Sequence, residues 1–374
     1  MGGGTVGRTL GARELNRASL ARQFLLERAG RPVEEVVSHL AGLQAQTPHT
    51  WYVGLWSRVA GFDPGDVVEA MTARRLVRIA AMRSTIHLLT ADDALFLRPL
   101  TQPALDRDLS GNFTHKKPLA GMDLEALVAA GREILEREPM TNKRLGELLA
   151  ERWPDRKPAS LAYAVRCLAP LVQVPPRGLW GRSGPIAHTT AEHWLGRPLD
   201  PAPSPERMVL RYLAAFGPAS VMDVQKWCGL TRLGEVVDRM RGELVTFTDE
   251  TGREVFDLPG APRPDPDTPA PPRFLYDYDN VLISYAGRTR VVTDHVKRQN
   301  YDPHGPVPQF VLIDGFTGGD WRITGDKGSA VLTIRPFAPL TSADTEALTE
   351  EGLALLAFAE PRAESRDVRV TAPI

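Results

Sequence analysis

A chain of 374 residues with 43% hydrophobic and 24% charged residues is too long for one ordinary core and too apolar to be disordered, so two to four modules are expected. Its formal net charge of −1 gives no global sign of a nucleic-acid partner. Two cysteines, Cys167 and Cys228, lie far apart with no CxxC and no histidine at ligand spacing, which excludes a disulfide framework and a thiolate metal centre.

No apolar run has the length of a transmembrane helix, and the first residues lack the apolar stretch of a signal peptide. A cytoplasmic chain without a membrane partner is therefore expected. Charge is unevenly spread. Between Glu69 and Asp92 stand Arg74, Arg75, Arg78, Arg83 and His87 with no acid, and "GRTRVVTDHVKR" sets Arg288, Arg290, Lys297 and Arg298 against Asp294 alone. Two basic runs offset by an acidic C-terminal stretch point to a polyanion-binding surface.

In chain order, "ARELNRASLARQFLLERAG" carries Leu15, Leu20, Phe24 and Leu25 at helical spacing, with a stop expected at Gly30. "PVEEVVSHLAGLQAQ" opens on Pro32, a residue favoured at helix entry. "TWYVGLWSRVAG" and "DPGDVVEAMTARR" predict two more short helices. "LVRIAAMRSTIHLLT" turns strand-like with a bend at Arg83 and Ser84, and Asp92 and Asp93 follow Thr90 as first-turn carboxylates. Helices followed by a two-stranded ribbon is the order of a winged helix.

That order is predicted twice more. One repeat has Thr141 as a helix cap and Pro175 and Pro176 at the start of its ribbon. The other has Ser220 and Asp223 in a capping box and a "DETG" hairpin turn. Modules over 10–117, 118–200 and 201–262 are expected. The proline-rich "PGAPRPDPDTPAPP" then reads as a linker. "NVLISYAG", "RVVTD", "QFVLIDGF", "GDWRIT" and "AVLTIRPF" read as strands of a closed or partly closed β-rich domain over 263–374, with a terminal helix in "DTEALTEEGLALLAFAE". The fold class is α+β.

No Walker loop, GxSxG elbow or zinc-type histidine spacing occurs, so no metal or organic cofactor is expected. What stands out is Gln44-Ala45-Gln46, where a helical pattern runs into Pro48. Residues i and i+2 do not share a helix face. From spacing alone, the simplest explanation is a buried amide pair hydrogen-bonded to backbone at a helix end. The alternative uses the neighbours: Gly42 loosens the helix and Pro48 drives Thr47 out of the αR region. If the triplet is extended, both amides project to one side and jointly hold a small guest such as water.

"LAGLQAQTPHTWYVGLW", "MRSTIHLLTADD", "FLYDYDNVLISYAGRTRV" and "FVLIDGFTGGDWRI" together resemble the winged-helix alkylpurine DNA glycosylases of the AlkZ/YcaQ type, over nearly the whole chain. The resemblance implies three tandem winged helices and a C-terminal β-barrel-like domain, C-shaped around a DNA channel. It makes Gln44 and Gln46 the catalytic pair, without cofactor, acting on damaged double-stranded DNA as a monomer. It also implies release of N7-alkylguanine and unhooking of interstrand crosslinks, a branch associated with antibiotic self-resistance. Arg83, His87, Arg298 and the supposed hairpin tip of Arg288 and Arg290 are the expected phosphate contacts. His49 is expected either to touch DNA or to cap the next helix. A non-enzymatic winged-helix regulator is the rival reading.

Overall fold

The computed structural model describes residues 8–299, 307–326 and 328–374. Three stretches repeat one order: helix, short pairing segment (a strand in the first two, a single bridge in the third), helix, helix, hairpin. The first has helices Val33–His39, Thr50–Trp56 and Pro64–Thr72, strand Leu43–Gln44, and hairpin strands Leu76–Ala80 and Ile86–Thr90. The second has helices Leu124–Arg137, Asn142–Arg152 and Pro158–Leu168, strand Met140–Thr141, and strands Leu171–Gln173 and Ala187–Thr190. In the third, helices Pro205–Phe216, Val221–Cys228 and Gly234–Met240 precede strands Val245–Asp249 and Glu254–Asp257. Each time the segment after the first helix pairs with the hairpin's second strand: Gln44 faces His87, Met140 faces His188, and Ala219 bridges Phe256.

Local chemistry sets these boundaries. Thr90, Thr141 and Ser220 each accept from the backbone N–H three residues on, and Asp223 answers Ser220 in a reciprocal capping box. Each cap satisfies one of the donors a helix start leaves unpaired. The first two hairpins join through Arg78–Ile79 against Gln173–Val172, giving one six-stranded sheet, whereas the third hairpin pairs in parallel with Thr9–Leu10. The buried cores cross these units. One runs from Val36 and Leu43 through Leu161 to Tyr276 and Trp321, and another links Ile79 and Leu89 with Tyr212 and Trp227.

The C-terminal strands Arg273–Phe274, Gln309–Ile313, Phe316–Asp326, Ser329–Pro336 and Ser365–Val370 form an open half-barrel in that order. Helix Ser342–Ala359 carries the chain across so that the last strand pairs in parallel with Ser329–Pro336.

Four expectations are corrected. The first helix ends at Arg22, not Gly30, because Phe24 turns left-handed at φ 55°. "NVLISYAG" is not a strand. Asp279 accepts the Val281 N–H and starts a helical turn over Asn280–Ile283. The run from Gly287 is a short 3₁₀ turn followed by helix Asp294–Arg298, not a hairpin tip. Finally, the proline-rich segment is irregular but strapped down: Arg13, Arg17 and Arg22, on one helix, donate to the carbonyls of Pro266, Thr268 and Pro262.

His87 and His188, at matching places in the six-stranded sheet, are both buried. Burial, then the charge of Arg83, lowers His87 from 6.5 to about 3; burial, then Arg166 and Arg78, lowers His188 to about 4. Below pH 6.5 the unfolded chain binds more protons than the folded one. The stability each contributes is therefore fully present above that pH and lost as pH falls toward the folded values. Between pH 7.5 and 5 each should remove about 2 kcal/mol, which urea midpoints measured across that range would reveal.

Candidate active site

Helix Val33–His39 stops at Leu40, and the chain reverses through Ala41 (φ 52°) and Gly42 (φ 91°). A Cβ on Gly42 would lie 2.3 Å from Leu89 Cδ2 and 2.9 Å from the Leu88 carbonyl oxygen, so only glycine lets the chain pass this close to the ribbon. Beyond it Leu43 and Gln44 pair with Leu88 and His87, and the Ala45 N–H donates to the Ile86 carbonyl at 2.7 Å. The triplet is therefore extended along the ribbon. Ala45 is wholly buried, Gln44 is 5% exposed and Gln46 is exposed.

Both amides meet one turn of the ribbon. Gln44 Oε1 accepts from Arg83 Nη2 at 2.7 Å and lies 3.3 Å from Thr85 Oγ1, while Gln46 Oε1 accepts from the Ile86 N–H at 3.2 Å. The expected bend is there, with Arg83 and Ser84 both left-handed at φ 56° and 59°. Ser84 Oγ donates to Asp108 at 2.7 Å, and Tyr163 holds the other Asp108 oxygen at 2.9 Å. On the opposite side Arg83 donates to the Trp227 carbonyl, and a Cβ on Gly229 would stand 3.1 Å from Arg83 Cα. Elements of all three repeats thus converge on the turn that the glutamines touch.

The C-terminal domain grips the triplet from outside, through residues that sequence reading did not single out. Asn280 Nδ2 donates to the Gly42 carbonyl at 2.9 Å, and Asp277 accepts from the hydroxyls of Thr47 and Thr50 at 2.5 and 2.6 Å. Between them Asp279 forms a fully buried two-point pair with Arg58, at 2.6 and 2.9 Å. The available signal was three polar side chains inside the apolar "FLYDYDNVLI", since such groups are buried only with partners.

The expected DNA contacts fare unevenly. Arg288 and Arg298 are exposed. Arg290 is buried, over the Tyr285 ring at 4.3 Å and donating to the Pro218 carbonyl at 2.7 Å, so it does not face a phosphate. His87 is 2% exposed, with Nδ1 2.9 Å from the Thr85 carbonyl, and its burial likewise removes it from a DNA surface. His49 precedes helix Thr50–Trp56 at φ 72° but makes no side-chain cap, and burial lowers its pKa. The first basic run is no free cationic patch: Arg75 pairs with Glu34 and Glu69, Arg74 lies over Trp194, and Arg78 is buried on the Ala45 carbonyl. Among the described residues no cluster of three or more His, Cys, Asp or Glu side chains is placed to hold a metal, and no helix is long and apolar enough to cross a membrane.

The profile of the AlkZ-like DNA glycosylases matches residues 37–358, most of the chain. The chain belongs to that family. The interstrand DNA cross-link repair glycosylase of Streptomyces sahachiroi is 25% identical to this glycosylase over 356 residues, covering 89% of this chain and 92% of that protein. The solved structure of the Streptomyces sahachiroi DNA glycosylase AlkZ matches with a TM-score of 0.74, covering 97% of this chain and 100% of that one, at 20% identity. That likeness covers more of the chain than the matched profile does.

In this glycosylase the approach at Gly42 gives a direct test of the triplet's geometry. Gly42→Ala should destabilise by about 2–4 kcal/mol, from the left-handed backbone and the collision with Leu89 together. A urea midpoint unchanged from wild type would show that the chain does not pass the ribbon as described.

Proposed function

We propose that this glycosylase hydrolyses the N-glycosidic bond of N7-alkylguanine in duplex DNA, with Gln44 and Gln46 holding the attacking water, as a monofunctional and monomeric enzyme. The observation that carries this reading is the extended Gln44-Ala45-Gln46 segment, whose two carboxamides both engage the Arg83–Ile86 turn while Gln46 is exposed. We read the three repeats as winged-helix modules over 10–117, 118–200 and 201–262, which with the domain over 263–374 grip the damaged duplex. The exposed Arg288 and Arg298 then serve as phosphate contacts.

Alkylation at N7 makes the purine cationic, so its bond to C1′ already has a good leaving group and no strong general acid is needed. What remains is to place water at C1′ and support an oxocarbenium-like state as the base departs. Two neutral amides suffice for the first task, and the flanking phosphates favour the second. Neutral leaving groups, by contrast, call for a carboxylate pair. The name of the Streptomyces sahachiroi relative extends the proposal to crosslink unhooking, and the family resemblance adds self-protection against a DNA-alkylating antibiotic.

The test is base release from a duplex carrying N7-methylguanine. Gln44→Ala and Gln46→Ala should each slow release by roughly a hundredfold or more, while duplex affinity stays within about twofold, because neither amide is a phosphate contact. Borohydride should trap no covalent complex, since no lysine serves as nucleophile. Full activity in both variants would refute the assignment.

A further inference from the structure

Carboxamide oxygen and nitrogen are usually assigned by convention, but here the neighbours decide. An arginine only donates, so the Gln44 atom 2.7 Å from Arg83 Nη2 is the oxygen; a backbone N–H only donates, so the Gln46 atom 3.2 Å from the Ile86 nitrogen is the oxygen too. Among the described residues neither amide nitrogen donates to a protein group, so although Gln44 is only 5% exposed its NH2 group is left to bind a small guest.

The two amides are not equivalent. The Gln44 oxygen is bound to a guanidinium, with the Thr85 hydroxyl also within 3.3 Å. The Gln46 oxygen meets one neutral N–H and keeps a lone pair. Arg83 itself has little freedom. Its other terminal nitrogen donates to the Trp227 carbonyl, its backbone is left-handed, and Gly229 lies against it where a Cβ would crowd it.

We propose that Arg83 is a positioning residue rather than a phosphate contact: by holding Gln44 Oε1 it turns the Gln44 NH2 group toward the water, making Gln44 the donor and Gln46 the acceptor. The inference rests on the catalytic reading of Gln44 and Gln46. Water then accepts a hydrogen bond from the Gln44 NH2 group and donates one to Gln46 Oε1, keeping both its protons, which leaves its second lone pair aimed at C1′. The C1′–N9 bond breaks with its electron pair going to the purine, which leaves as neutral N7-alkylguanine. The water oxygen bonds to C1′, and its proton passes to solvent. Atoms and charge balance without a further reactant.

The test compares Arg83→Ala, Arg83→Lys, Gln44→Ala and the Arg83→Ala/Gln44→Ala double variant. Each is measured for single-turnover release of N7-methylguanine and for salt-dependent duplex affinity. Arg83→Ala should slow release by roughly ten- to a hundredfold, the loss of one charge-assisted hydrogen bond. Affinity and its salt slope should not move, and Arg83→Lys should recover part of the rate. The double variant should be no slower than Gln44→Ala alone, because the two act as one unit. Additive losses, or weaker binding with a salt slope shallower by about one and an unchanged rate, overturn the proposal and leave the catalytic pair standing. Full activity of Gln44→Ala overturns both. If Arg83→Ala does not fold by circular dichroism, the same cycle run with Arg83→Lys decides between these outcomes.

Discussion

Only two residues, Leu43 and Gln44, pair as a strand with the ribbon, and ladder bonds worth about 1 kcal/mol each cannot by themselves fix where a side chain points. Everything at the site depends on the groups that grip the chain within and on either side of the triplet. Asn280 holds the Gly42 carbonyl, Arg78 the Ala45 carbonyl, and Asp277 the hydroxyls of Thr47 and Thr50. The Asn280 and Asp277 grips are themselves anchored by the buried Arg58–Asp279 pair, whose Asp279 lies between them in the chain. Removing one partner of such a pair costs about 3–5 kcal/mol because the other charge is left uncompensated, so the alternative arrangements are costlier still.

The convergence of units has a second consequence. Two repeats share one sheet, and the apolar cores run through all three and into the half-barrel, so no repeat has a core to itself. Buried charge pairs then set register between surfaces that apolar packing alone would let slide. Arg22 ties the first helix to Asp257 of the third hairpin with two bonds of 2.6 and 2.8 Å, and Arg58 ties the first repeat to the C-terminal domain. The same element order is put to three different uses. The first hairpin carries the turn against the glutamines, the second extends the sheet, and the third clasps the N-terminal strand.

Much of this was legible in the amino-acid order. The bend at Arg83–Ser84, the caps at Thr141 and Ser220 and the first-turn carboxylates after Thr90 follow from local rules, which act within a few residues. The left-handed backbone of Arg83 and Ser84 does not, and spacing alone favoured a buried amide pair over the extended triplet that Gly42 and Pro48 allowed. The misreadings share a cause. "NVLISYAG" is apolar enough for a strand, but periodicity cannot separate a short buried helix from a buried strand, and here the Asp279 cap decided. Arg290 and His87 looked like surface groups because their burial depends on partners far away in the chain, the Phe216 and Pro218 carbonyls in one case and the strand Leu43–Gln44 in the other. The last strand, Ser365–Val370, alternates weakly and is fixed by a neighbour 36 positions earlier, Ser329 pairing with Ser365. Such contacts are tertiary facts with no local signature.

The neutrality of the proposed catalytic pair follows from where charge goes in the proposed reaction. One positive charge is present throughout: on the purine at the start, on the sugar as the bond opens, and in solvent as a proton at the end. Charge moves and is never created, so a carboxylate to generate a nucleophile or balance a new ion is not required. A carboxylate at position 44 would also sit beside Arg83, whose guanidinium burial has already lowered from 12.5 to about 10, and the two would pair with each other rather than with water. An amide in the same place accepts from Arg83 without neutralising it and still has two N–H groups to offer. The arginine that makes a carboxylate unsuitable at position 44 is the group that gives the amide its direction.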